Sequence, residues 1–235
     1  MVEETNKTNG KEETNGKEET NGKEETNGKE ETNGKEETNG KEEKEESPPL
    51  FLTGENEETI KNKKIIGSEE IGIYLENAKN KTIKYNTANS NSEEGISLDY
   101  SSYNTLTDNT ANSNSWDGIS LDYSSNNFLT NNTTNSNSRD GISLDYSSNN
   151  FLTNNTANSN SQDGISLDYS SNNFLTNNIA NSNKEYGIFL YSSSNNILIN
   201  NISCFNEKAG LSIYGSNNNY LINPISIGNG ESDIK

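Results

Sequence analysis

Aspartates stand at positions 99, 122, 145 and 168, each 23 residues from the next and each four residues after a glycine. Carboxyl groups in series suit two kinds of chemistry. A pair about 5–9 Å apart, in different environments, serves as acid and base on a glycosidic bond, and flexible carboxylate oxygens are the ligands Ca²⁺ prefers. Asp99, Asp122, Asp145 and Asp168 are therefore the candidate residues for a weak Ca²⁺ ladder. Catalysis is disfavoured because the four are copies of one another, with no distinct acid, base or inserted loop; the chain also has no His, and Arg139 is its only arginine. The GGxGxD signature of the Ca²⁺-binding roll is missing too. A second set, Phe128, Phe151 and Phe174 at the same 23-residue spacing, together with the sole tryptophan Trp116, is the candidate partner-binding strip. Contiguous exposed apolar surface often marks an interface, although stacked aromatics also stabilise a sheet simply by touching.

The elements that position these residues follow from the same period. Glycines stand at 72, 95, 118, 141, 164, 187 and 210, all 23 apart. One residue after each comes Ile or Leu (Ile73 to Leu211), three after comes Leu or Ile (Leu75 to Ile213), and eleven after comes a third apolar column from Ile83 to Leu221. Pairs of the form I-x-L bounded by Asn, Ser and Gly are strand chemistry, not a 3.6-residue helical period. A propeller blade needs about 40 residues. Short strands repeating every 23 residues instead fit a parallel β-helix, in which each coil advances by one strand spacing of about 4.8 Å and lays each residue over its counterpart. Near-identical repeats are then what packs in register. Leu50, Leu52 and Ile60 keep the phase, which predicts an eighth, imperfect coil starting near Pro49. Asparagines nine residues after the glycine (Asn104 to Asn219) and fourteen after (Asn86 to Asn201) are expected to form amide ladders at the bends and to accept the left-handed backbone found there.

This pattern, GIxLxxSxNNxLxxNxxxNSN, resembles the right-handed β-helix repeat of the NosD family of periplasmic copper-binding proteins, within the pectin-lyase-like group of carbohydrate-binding proteins and sugar hydrolases (CASH). The resemblance covers residues 50–232. It implies a right-handed, triangular solenoid and a secreted, periplasmic or cell-surface setting. It does not bring copper with it: with no His, the single cysteine Cys204 and Met1 as the only methionine, the imidazole and soft ligands of copper sites are lacking. No cofactor is expected apart from the weak Ca²⁺ ladder.

Composition divides the chain. Residues 1–48 carry five KEETNG hexapeptides and almost nothing apolar, and with a net charge of −8 they are expected to be a disordered acidic arm; residues 49–235 form the β-helix domain. The net charge of −18 argues against a nucleic-acid partner, and no apolar run approaches the roughly 20 residues of a membrane span, so membrane insertion is not expected. The two ends of a solenoid expose strand edges, and end-to-end self-association is a further expectation. The function expected from these residues is a non-catalytic surface or interaction module presenting a flat face to carbohydrate or protein. The alternative is a carbohydrate-active lyase, hydrolase or epimerase of the pectin-lyase-like group.

Overall fold

A computed structural model describes residues 48–235, so the acidic arm lies outside the described residues except for its last position. The described residues form an all-β, right-handed parallel solenoid of about eight turns. Its first face is a nine-stranded sheet, running from Leu50–Gly54 through Ile142–Asp145 to Ser232–Ile234. The second is an eight-stranded sheet that includes Phe128–Thr130, Phe151–Thr153 and Phe174–Thr176. The third begins as the strand pair Lys64–Ile66 and Thr87–Asn89 and continues as single bridges through Thr110, Thr133, Thr156, Ile179, Ile202 and Ile225.

Register is like on like. Ile142 pairs with Ile119 and Ile165, and Asp145 with Asp122 and Asp168. The inward Ile and Leu columns fill the core: from Ile73 to Leu190 these side chains are sealed from solvent. Each such side chain contributes roughly 1.5–3 kcal/mol of burial. The eighth coil is real, since Leu50 and Leu52 pair with Ile73 and Leu75, and Leu52 is buried. The glycine column also points inward. A Cβ built on Gly141 would lie 2.6 Å from the Gly164 carbonyl oxygen and 2.7 Å from the Ala157 Cβ, so only glycine lets the coils close on one another.

The amide ladders are internal. Asn132 is typical: its N–H and its Nδ2 both donate to Asn155 Oδ1 (2.9 and 3.0 Å), and its Nδ2 also donates to the Leu106 carbonyl at 2.9 Å. These buried asparagines do not take the left-handed backbone expected of them. That conformation falls on the residue just before each, as at Asn126 and Asn131, and on two further corner columns, Tyr100/Tyr123/Tyr146/Tyr169 and Ser113/Ser136/Ser159/Ser182. The reason is a division of labour. A corner turns its own side chain outward, and the next residue then points inward, where its amide meets the orphan backbone groups of the bend. Tyrosine holds the corner at φ between 46° and 48°, a conformation costly for a bulky residue in isolation.

Candidate functional site

On the first face, strand alternation sends the residues two and four after each glycine outward. Across four successive coils these are Ser97/Asp99, Ser120/Asp122, Ser143/Asp145 and Ser166/Asp168. The residue just before each glycine completes the row: Glu94, Asp117, Asp140 and Asp163. The coil at Gly187 shows that these three columns lie side by side. There the same positions are Tyr186, Phe189 and Tyr191, and the Tyr186 ring stacks on Phe189 at 4.9 Å while Phe189 lies 6.4 Å from Tyr191. At the opposite end the floor position is Tyr74, which pairs with Ser97. The short serines thus run between two columns of longer carboxyl side chains, a shallow trough by side-chain length. Aromatic rings close it at both ends. Five coil steps separate Tyr74 from Phe189, about 24 Å at the usual strand spacing.

The two acidic columns sit in different environments. Asp117 and Asp163 are buried, and each accepts a backbone N–H from the next coil: Asp140 donates to Asp117 Oδ1 at 2.8 Å, and Tyr186 to Asp163 Oδ1 at 2.8 Å. Between them, Asp140 Oδ1 accepts from the Asp163 N–H at 2.7 Å. Burial outweighs these hydrogen bonds. It pushes Asp117 up to about 6 and Asp163 to about 7, and it raises Asp140 well above the carboxylate range with the charges of Asp163 and Asp117 adding to the effect. Glu94 is raised to about 7, again chiefly by burial. The outer column is more open. Asp122, Asp145 and Asp168 are raised by partial burial, with neighbouring aspartate charges reinforcing the effect at Asp122 and Asp168. The columns feel each other, since the charge on Asp168 lifts both Asp140 and Asp163. At the Tyr74 end, the hydroxyl donates to Asp99 Oδ2 at 3.3 Å, and burial with the charges of Asp99, Glu76 and Glu94 pushes it up to about 12.

The predicted Asp99, Asp122, Asp145 and Asp168 column is thus a stacked, outward row in register. Oδ1 of Asp99, Asp122 and Asp168 is inaccessible and accepts no hydrogen bond. Among the described residues no three His, Cys, Asp or Glu side chains converge on a metal position, so a cation bridging stacked carboxylates would draw its remaining ligands from water. The inner acidic column was missed in the sequence. Its signal was available, an acid before the glycine in four consecutive coils, but nothing in the period says that it borders the other column.

Phe128, Phe151 and Phe174 lie outward on the second face, partly exposed, with centroids 5.0 Å apart and rings within 9° of parallel. Rings that close cannot lie flat side by side, so each turns part of its face to its neighbours. Trp116 is elsewhere, at the turn entering the first face, where the Arg139 guanidinium covers its ring at 4.5 Å. The four proposed aromatic residues are therefore split between two surfaces.

The sequence of this fold matches the family described as right handed beta helix region over residues 48–203 and 117–227. The chain belongs to that family. Several solved structures share the architecture of this β-helix protein. The periplasmic alginate epimerase AlgG is 23% identical with a TM-score of 0.59, covering 70% of this chain and 47% of its own. The A-module of the Azotobacter vinelandii mannuronan C-5 epimerase AlgE6 is 13% identical with a TM-score of 0.63, covering 79% and 58% respectively, and that of AlgE4 is 17% identical with a TM-score of 0.57, covering 75% and 64%. At such identities the likeness is one of fold. The β-helix protein spans about half the length of the alginate epimerase it matches. No curated protein matches it in sequence.

Proposed function

We propose that this protein is a carbohydrate-active β-helix that seats a polysaccharide strand in the trough of the first face. Two columns of carboxyl groups supply acid–base chemistry to the bound strand. The observation that carries the reading is the difference between those columns: Asp117 and Asp163 are buried and burial raises Asp117 to about 6 and Glu94 and Asp163 to about 7, while the Asp99–Asp168 column beside them is more open. Paired carboxyls in unlike environments are how one site provides both a proton donor and a base. The fold supports the same direction, because the solved neighbours named above are epimerases of alginate and mannuronan. It favours this alternative over the inert module expected from the repeat alone.

A non-catalytic carbohydrate- or protein-binding module remains the second reading, and one observation favours it. The trough is copied over four coils without a distinct centre, and the one arginine, Arg139, stacks on Trp116. Within the β-helix superfamily, kinship with the NosD and CASH branch is part of the proposal and rests on the repeat pattern; a copper role is not. The test is incubation with a panel of polysaccharides, reading reducing ends, unsaturated uronates and, by proton NMR, inverted sugar centres. Turnover that disappears in Asp117→Asn/Asp163→Asn supports the enzyme. Binding along the first face with no product from any polymer supports the module and overturns the enzyme.

A further inference from the structure

We propose that the protein pairs with a second copy of itself through an apolar patch on the second and third faces, in the coils that start at Gly187 and Gly210. The proposal is independent of the carbohydrate reading, since the trough lies on the first face.

The outward columns of these two faces change character along the axis. On the second face, the column that reads Thr107, Thr130, Thr153 and Thr176 continues as Ile199 and Ile222, and the phenylalanine column continues as Ile197 and Tyr220. On the third face, Thr110, Thr133 and Thr156 give way to Ile179, Ile202 and Ile225. The corner that is serine at 113, 136, 159 and 182 becomes Phe205, which keeps the left-handed backbone at φ 59° despite its bulk. The inward positions of the same strands stay with the core, Leu198 buried and Leu221 packed against it, so the patch looks off the sides of the solenoid and not along its axis. Phe205, Tyr220, Ile222, Ile225 and Ile227 are between 46% and 66% exposed. At roughly 100 Å² each they present about 500 Å² of apolar surface, the size of patch that marks an interface.

Whatever covers this patch must be apolar and must approach a chain of net charge −18. Residues 1–48 carry almost nothing apolar, so the chain's own acidic segment does not supply the cover. A second copy of the patch does. From Tyr186 to Gly230 the only charged residues are Glu207 and Lys208, and Lys208 is engaged by Glu185 at 2.8 Å. Two molecules that repel one another through their acidic faces therefore meet along this stretch without rows of like charge opposed. A symmetric pair buries the patch twice, roughly 1,000 Å² in all, which reaches the lower limit of a specific interface. Pro224 favours contact through side chains over strand addition along the axis. It stands in the inner amide column that runs from Asn86 to Asn201, and it lacks the N–H with which Asn178, for example, donates to Asn201 Oδ1 at 2.9 Å.

The experiment is sedimentation velocity of the full chain across micromolar concentrations, at low and at high salt. The proposal expects a monomer–dimer equilibrium that stops at the dimer and is strengthened by salt, which screens the repulsion between copies. Ile199→Thr/Ile222→Thr and Ile202→Thr/Ile225→Thr each restore the residue that the same column carries in earlier coils, so the fold is kept, as an unchanged circular dichroism spectrum would verify. Each pair is expected to weaken the dimer at least about tenfold, because a symmetric interface feels every substitution twice. Phe128→Thr, which extends the threonine found at Thr105 in its column, is expected to leave the dimer unchanged. A monomer at every concentration, or a dimer dissolved by salt, overturns the proposal. A dimer indifferent to both isoleucine pairs places the interface elsewhere and overturns it as well, and growth past the dimer gives the association to the solenoid ends instead. A chain that stays monomeric but floats with phosphatidylcholine vesicles gives the patch to a lipid surface and overturns the second copy.

Discussion

Replacing Asn155 by alanine removes one rung of an internal ladder without touching the apolar core. Its Oδ1 accepts from the N–H of Asn132 at 2.9 Å and from Asn132 Nδ2 at 3.0 Å, and its Nδ2 donates to the Leu129 carbonyl at 2.9 Å and to Asn178 Oδ1 at 3.0 Å. Every one of these partners is buried, so water cannot take the place of the amide. The Asn132 N–H is left with no acceptor, at about 1–3 kcal/mol, and the other three bonds are worth about 0.5–1.5 kcal/mol each, for a loss of about 2.5–7.5 kcal/mol. The matched control is Asn158→Ala, three residues on in the same coil. Asn158 Oδ1 accepts from the Asn181 N–H at 2.8 Å, but both residues are partly exposed and solvent can replace the bond. Its loss is expected to stay below about 1 kcal/mol. Urea unfolding of both variants, with amide exchange at Asn132 to locate the damage, gives the comparison directly. Equal losses, or an Asn132 amide that exchanges no faster in Asn155→Ala, would refute the claim that the inward amides hold the bends together.

Three more outcomes follow from the same structure. Glu94, Asp117 and Asp163 bind their protons more tightly folded than unfolded, so between roughly pH 4 and pH 7 the folded state holds more protons and stability falls as pH rises through that window, on the order of 1–3 kcal/mol per group. Asp117→Asn/Asp163→Asn keeps an oxygen acceptor at each site and should flatten the dependence of the urea midpoint on pH; an unchanged slope would show that these carboxyls are not the source. Gly141→Ala drives a methyl into Ala157 and the Gly164 carbonyl of the next coil and should cost about 3 kcal/mol or more by thermal unfolding, against under about 1 kcal/mol for Ser138→Ala on the exposed turn before it. Millimolar Ca²⁺ is expected to raise the unfolding temperature by bridging the Asp99–Asp168 column, an effect reversed by chelator and reduced in Asp122→Asn/Asp145→Asn; no shift would remove the Ca²⁺ ladder.

What was legible in the chain was whatever a period can encode. The phase of the glycines assigned Ile142 and Leu144 to the core and Asp145 to the outside, and the buried asparagine columns and the imperfect first coil at Leu50 came with it. A period states which residues stack along the axis. It does not state which columns become neighbours across a face, because that depends on how sharply the chain turns at each corner. Asp163 and Asp168 are five residues apart in the chain, and their electrostatic coupling emerges only once the bend before Gly164 is built. Trp116 and Phe128 illustrate the converse: both are aromatic and close in sequence, yet the corners at Tyr123 and Asn126 stand between them and place them on different surfaces. The corners themselves were misassigned by one residue for a related reason. Asparagine is equally suited to the left-handed bend and to the buried ladder, and paired Asn-Asn steps such as Asn131-Asn132 use one residue for each.

The claim on which the rest depends is that each coil lies over the last in 23-residue register, one strand spacing further along the axis. Nitroxide labels on exposed positions of one column test it by pulsed electron resonance, after Cys204→Ser removes the native thiol. Ser92 and Lys184 are four coils apart and Ser92 and Glu207 five, all exposed, so the mean distances should be about 19 Å and about 24 Å before the allowance for the label arms. An increment close to one strand spacing per coil is the predicted result; distances that fail to grow by that step would contradict the account.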